Sequence, residues 1–92
     1  MKYTYKDTSN KMQLVETNNV EDLREIVKQM WKPIRKRAIN NYIQLNAYNL
    51  CETCVKIIPN KKGYLATIKL RFYIRDRISS NYSLRRQFYL VN

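Results

Sequence analysis

Histidine is absent from this 92-residue sequence, and glycine occurs once, at Gly63. The absence of histidine removes the commonest general base of enzymes. A single glycine excludes the Gly-rich nucleotide loops and the G-x-S-x-G nucleophile motif, which need more than one. Beyond residue 25 only Glu52 and Asp76 carry carboxylates, whereas metal-dependent nucleases need clustered carboxylates. The sequence therefore predicts a non-catalytic protein with no small-molecule substrate.

Cysteine is also scarce, since Cys51 and Cys54 form a lone C-x-x-C. A structural zinc site takes four Cys or His ligands. One chain cannot supply them, although two chains could share a site. On a strand, positions three apart face opposite sides, so the two thiols would not converge there. We expect small, mostly buried thiols, and neither a metal nor a cofactor.

Long apolar runs are missing as well. The first residues, MKYTYKDTSNK, lack the apolar segment of a secretory signal, and no stretch approaches the length of a membrane-spanning helix. We expect no membrane partner and a cytoplasmic location, or host cytoplasm or a virion if the protein is viral. The abundance of residues with AT-rich codons, such as Asn, Lys, Ile and Tyr, is common in phages and other viruses. It also occurs in mobile elements and some AT-rich cellular genomes.

What the chain has in excess is positive charge. Eighteen Lys and Arg stand against seven Asp and Glu, for a net charge of +11. Residues 1–25 hold four cations and five acids, so the excess lies wholly in residues 26–92. The electrostatic field of this charge excess favours binding to a polyanion, which means nucleic acid, an anionic membrane or an acidic protein surface. With one glycine and two prolines there is little material for a linker, so we expect one basic domain over residues 1–92.

The first half of the chain predicts two short strands and then helix. Residues 3–6 and 12–16 alternate as strands around the polar turn KDTSN. Asn19 is placed to cap a helix whose apolar residues recur at helical spacing through Ile34. Pro33 and a shift of the apolar face after it predict a break near Pro33. Residues 40–50 lack a breaker and are predicted to continue as helix, although they also alternate as a strand would.

The second half predicts sheet. Residues 54–74 contain two strand-like runs around the turn PNKKG, which is a hairpin pattern. SSNYS (79–83) then reads as a loop, and LRRQFYLV (84–91) as a third strand that could lie at an edge and pair with another chain. The predicted fold class is α+β: one or two helices from the N-terminal half packed on a small antiparallel sheet of about three to four strands.

Two basic surfaces are candidates for nucleic-acid binding. Cations recur along one edge of the predicted helix, where they can track phosphates; they are Lys28, Lys32, Arg35, Lys36 and Arg37. On the strand IKLRFYIRDR, alternation separates an apolar face from a basic one. The basic face and its neighbouring strand supply Lys69, Arg71, Tyr73, Arg75, Arg85 and Arg86. Arg86, however, is in phase with Leu84 and Phe88 rather than with Arg85.

The leading hypothesis is a small basic nucleic-acid-binding protein, for which a viral or phage origin is one candidate, with DNA or RNA, single- or double-stranded, as partner. Cations would hold phosphates and tyrosine rings would stack on bases. The alternative is a virion component, or an interaction or inhibitor module that docks on an acidic protein or self-associates. Tyr, Trp and Arg suit such an interface. A peripheral membrane helix is the weakest alternative, because the helix needs its apolar face to cover the sheet.

Overall fold

One long helix packs on one face of a six-stranded antiparallel sheet in a computed structural model that describes residues 1–45 and 49–91. The α+β class is confirmed. The elements in chain order are β1 (Lys2–Lys6), β2 (Met12–Glu16), α1 (Glu21–Leu45), β3 (Asn49–Glu52), β4 (Lys56–Asn60), β5 (Gly63–Ile74) and β6 (Arg77–Val91). The predicted three to four strands were too few, because the N-terminal hairpin joins the main sheet and β3 adds a further strand.

The two C-terminal strands form the centre of the sheet. The strand order is β2-β1-β6-β5-β3, and β4 also pairs with β5. β5 is long enough, at 12 residues, to take β4 along its first half and β3 along its second. β1 pairs with the last residues of β6, with Tyr3 opposite Leu90. The prediction that 84–91 could lie at an edge is wrong for residues 89–91, which pair with β1, whereas residues 84–88 have β5 as their only strand partner among the described residues.

The start of α1 follows the predicted capping pattern. The side-chain oxygen of Asn19 accepts a hydrogen bond from the backbone N–H of Asp22, at 3.2 Å. Glu21 and Asp22 occupy the first turn, where carboxylates stabilise the positive end of the helix dipole. The helix then buries one face against β5 and β6. The buried residues of that face are Leu23, Val27, Met30, Trp31 and Ala38.

The predicted break near Pro33 is wrong, since α1 runs through it without interruption. Pro33 is exposed, so the hydrogen bond that it cannot donate is lost on the water side of the helix. The apolar face continues across it from Trp31 to Ala38 and keeps the helix on the sheet. The prediction of helix to about residue 50 is also wrong for Asn49 and Leu50, which begin β3; residues 46–48 lie outside the described residues.

Replacing this proline tests how much the helix tolerates it. Pro33→Ala restores an amide donor for the carbonyl of Gln29, one turn earlier, and adds a residue of high helix propensity. We expect the free energy of unfolding to rise by about 1 to 3 kcal/mol, measured by urea denaturation. No gain, or a loss, would show that the proline relieves strain in α1. Gln29→Ala, at another exposed position of the same helix, is the control.

Aromatic rings of α1, β5 and β6 pack together around Phe72, and these contacts explain why SSNYS (residues 79–83) is not a loop. The ring of Phe72 stacks on Tyr42 of α1, with centroids 5.0 Å apart, and meets Tyr82 edge-on at 5.9 Å. Asn41 donates a hydrogen bond to the hydroxyl of Tyr82 at 2.8 Å. Tyr82 thus anchors residues 79–83 within β6, and the loop prediction is wrong. The chain reverses earlier, at Arg75 and Asp76, which have positive φ angles of 48° and 64°.

The other two hairpins match their predictions. In the β1–β2 turn the Asp7 carboxylate accepts backbone hydrogen bonds from Ser9 and Lys11. The amide of Gln13 and these backbone N–H groups hold the pKa of the Asp7 carboxyl below its usual value. In the β4–β5 turn the side chain of Asn60 accepts the backbone N–H of Gly63. Both turns are therefore closed by local side chains at the positions that the sequence indicated.

Candidate nucleic-acid interface

The sheet has one covered face and one open face. Even-numbered residues of β5 face α1 and the core, as Ala66, Ile68, Leu70 and Phe72 are all buried. Side chains of a strand alternate, so the odd-numbered residues point away from α1. Among the described residues nothing packs over that side, which we call the open face. Its β5 members are Leu65, Thr67, Lys69, Arg71 and Tyr73.

Four cations lie close together on the open face. Lys56 of β4 and Arg85 of β6 flank Thr67 from either side in the strand register. Lys69 and Arg71 follow Thr67 on the same face of β5, at steps of about 7 Å. Neighbouring strands lie about 5 Å apart. We call Lys56, Lys69, Arg71 and Arg85 the central cation cluster.

Within residues 1–45 and 49–91 no acidic side chain balances this cluster. The three ion pairs among the described residues all involve α1: Glu21 with Arg24, Glu25 with Lys28, and Glu52 with Arg35. Glu52, although it lies on β3, turns to the covered side, where its carboxylate also accepts the Trp31 indole N–H at 2.7 Å. In the described part of the chain the open face carries one carboxylate, Glu16, on the outermost strand β2, opposite Lys2. The four cations thus form an uncompensated positive surface.

A concavity of about 340 Å³ lies beside the cluster. It forms at the point along β5 where pairing with β4 ends and pairing with β3 begins. The link between those strands is fixed to β5, because the backbone N–H of Lys69 donates to the hydroxyl of Thr53 at 3.0 Å, and the Thr53 N–H donates to the Lys69 carbonyl at 2.9 Å. The lining consists of Cys51, Thr53, Lys56, Ile58, Thr67, Lys69, Arg71 and Tyr73. Three cations, two hydroxyls and an aromatic ring therefore converge on one hollow.

The predicted sheet residues lie in three different places in the structure. Lys69, Arg71, Tyr73 and Arg85 share the open face. Arg75 lies in the β5–β6 turn, where its φ of 48° ends the strand alternation. Arg86 points to the covered side, as its phase indicated, and its Nε donates to the carbonyl of Lys6 at 2.9 Å.

The predicted helix residues form a separate group. All five lie on α1, which is on the other side of the sheet from the open face. Lys28 pairs with Glu25 at 3.4 Å and Arg35 with Glu52 at 3.1 Å. Lys32, Lys36 and Arg37 are exposed and form no ion pair within the described part of the chain. The helix and sheet groups therefore cannot bind the same short segment of a ligand.

Sequence reasoning missed Lys56, and with it the fourth cation of the cluster. The sequence of the β4–β5 hairpin was sufficient to place Lys56. With Lys61 and Lys62 in the turn, Asn60 pairs with Gly63, and counting back along both strands places Lys56 opposite Thr67. Lys2 and Lys6 were also missed, and these reach the open face because β1 pairs with the end of β6. That pairing between distant segments left no local signal.

The prediction of buried thiols is wrong. Cys51 and Cys54 are both exposed and free. Cys51 lies on β3 opposite Arg71 and lines the concavity, whereas Cys54 lies in the groove between α1 and the sheet, near Trp31. They lie on different sides of the sheet, although Cys54 follows the end of β3 and strand alternation does not apply to it. Within residues 1–45 and 49–91 no group of three or more His, Cys, Asp or Glu side chains is placed to hold a metal.

Comparison of the chain with protein-family models, with curated proteins and with solved structures finds no match. The geometry of the open face is therefore the main guide to function. In the described part of the chain no helix combines the length and apolarity needed to cross a membrane.

Proposed function

We propose that the protein is a small non-catalytic nucleic-acid-binding protein that holds the phosphate backbone on the open face of its sheet. The central cation cluster is the observation that supports this proposal. Lysine and arginine bind phosphate oxygens through charge-assisted hydrogen bonds, and neutralised phosphates release counterions. The hydroxyls and amides around the cluster, such as Thr67, Ser83 and Asn81, are further donors for backbone oxygens.

An ordinary solvated sheet face accounts less well for this arrangement. A solvent-facing surface usually mixes both signs of charge, whereas the centre of the open face carries one sign. Bringing four cations together, without an acid near them, destabilises the folded chain through self-repulsion. A polyanion removes that repulsion when it binds. The cluster is therefore better explained as a binding surface than as a solubilising one.

A salt series tests this proposal. Purified, nuclease-treated protein is titrated into fluorescent single-stranded and duplex oligonucleotides, and anisotropy is recorded. Four phosphate contacts to a single strand give a log–log salt slope of about −3, so affinity should fall about 50-fold between about 50 and 200 mM salt. Polyglutamate of similar length is the control polyanion and should bind more weakly. Affinity that is insensitive to salt, or no binding at low salt, would contradict the proposal.

A protein partner is the second candidate, and one feature of β6 favours it. β5 pairs with β6 from Arg77 to Tyr89, whereas β1 pairs only with residues 89–91. Along residues 77–85 the other edge of β6 has no strand partner among the described residues, and such an edge can accept a strand from another chain. A discrete assembly in sedimentation experiments on nuclease-treated protein would support this candidate, and a monomer at all concentrations would count against self-association.

A further inference from the structure

The concavity brings together two kinds of chemistry that one nucleotide combines. Lys56, Lys69 and Arg71 supply three cations from two adjacent strands, and Tyr73, which is partly buried, supplies a ring at the next position of β5 on the same face. The step from Arg71 to Tyr73 along the strand is about 7 Å. A phosphate on the cations would thus leave its own base, or the next one, within reach of the ring.

A ring in this position can stack only on an unpaired base. In a duplex the bases are stacked on each other inside the helix, and the convex outer surface presents mainly phosphates to a protein. Single strands can turn their bases outward and stack them on aromatic side chains, while a basic groove holds the backbone. A hollow lined by three cations and an aromatic ring matches the second case.

From this geometry we propose that the concavity is a subsite for one unstacked nucleotide of a single strand. Its phosphate lies on Arg71, the next phosphates of the strand lie on Lys69 and Lys56, and its base stacks on Tyr73. This inference rests on the proposed function, which it makes specific, since it names single-stranded nucleic acid as the preferred ligand. The strand continues along β5 and β6 towards Arg85.

The two cysteines provide an internal test of where the strand lies. Cys51 lines the concavity and Cys54 lies outside it, in the groove beside α1. Both are exposed in the free protein. Cys54→Ser and Cys51→Ser each leave one thiol, whose rate of maleimide modification is measured with and without a saturating oligothymidylate. We expect the rate at Cys51 to fall about tenfold or more, as a stacked, held nucleotide covers it, and the rate at Cys54 to stay nearly unchanged.

Variants of Tyr73 test the stacking part of the proposal. Tyr73→Phe keeps the ring and should leave single-strand affinity nearly unchanged. Tyr73→Ala removes the ring and should weaken single-strand binding by about 5- to 150-fold, the usual range for losing one base–aromatic stack. The two variants should have the same affinity for duplex. Thermal unfolding of both variants checks that the sheet is intact, and the thiol experiment does not depend on Tyr73.

The outcomes separate this inference from the proposed function. Duplex binding as tight as single-strand binding, with Cys51 modified at the same rate in the complex as in the free protein, would overturn the subsite and leave the proposed function standing. Equal losses for Tyr73→Phe and Tyr73→Ala would overturn the stacking role. Absence of binding to every oligonucleotide would overturn both proposals.

Discussion

Reversing Lys69 and Arg71 to glutamate is expected to lower the affinity for a single-stranded oligonucleotide by about 100-fold or more. Each of these cations would make a charge-assisted hydrogen bond to a phosphate, worth about 1.5 to 3 kcal/mol, and two such losses amount to about 3 kcal/mol or more. The new carboxylates would also repel the backbone. Because two phosphate contacts disappear, the salt slope should become shallower by about 1.4. Anisotropy across a salt series measures both quantities.

A matched pair of helix variants controls for net charge. Lys32→Glu with Lys36→Glu makes the same change in charge at two exposed positions of α1, across the helix from the sheet. The helix is about 10 Å thick, and the screening length at 0.1 M salt is also about 10 Å. We therefore expect only a small loss of affinity, about fivefold or less. Equal losses for the two pairs would mean that binding follows overall charge and not the open face.

Replacing the only glycine is expected to produce the largest loss of stability. Gly63 has a φ of +145°, in a region that residues with a Cβ rarely adopt. A Cβ at this position would clash with the backbone carbonyl oxygen of Phe88 and lie 3.0 Å from the amide nitrogen of Leu90. Both atoms belong to β6, at the centre of the sheet, so neither can move cheaply. Gly63→Ala should lower the free energy of unfolding by about 3 kcal/mol or more.

The neighbouring residue is the control for that prediction. Lys62 is exposed in the same turn, and its contribution to β6 is a backbone one, since its carbonyl accepts the N–H of Leu90 at 2.8 Å. Lys62→Ala keeps that hydrogen bond and should change stability by about 0.5 kcal/mol or less. Urea denaturation of both variants makes the comparison. If Gly63→Ala were as stable as Lys62→Ala, the β4–β5 turn and β6 would not approach each other closely enough to exclude a Cβ.

Elements with strong local signals could be predicted from the sequence. The cap at Asn19, the turn at Asp7 and the PNKKG hairpin each depend on residues close together in the chain, and all three appear in the structure. The buried face of α1 followed from its period. Local chemistry was therefore a reliable guide wherever one short segment determined the conformation.

Elements that depend on distant partners could not be predicted. β3 forms because β5 extends past β4 and offers Leu70 to Tyr73 for pairing. The segment 79–83 is strand because Tyr82 reaches Phe72 and Asn41. Pro33 stays inside a helix because the sheet holds both halves of α1 in place. In each case tertiary contacts overrode the local propensity.

The candidate site shows the same division. Alternation along β5 correctly grouped Lys69, Arg71 and Tyr73, and pairing with β6 adds Arg85 at the predicted face. The helix cations satisfied the same charge criterion from sequence but lie on the other side of the sheet. Charge along a chain identifies candidates, whereas only the fold shows which of them can contact one ligand.

Mapping the interface by NMR tests the central claim most directly. Amide chemical shifts of ¹⁵N-labelled protein are followed during titration with an oligothymidylate. The account predicts that the largest changes fall on Thr53 and Lys56, on residues 67–73 of β5 and on residues 81–87 of β6, with little change at residues 28–37 of α1. Changes concentrated on α1, or no changes at saturating oligonucleotide, would contradict the assignment of the open face as the nucleic-acid-binding surface.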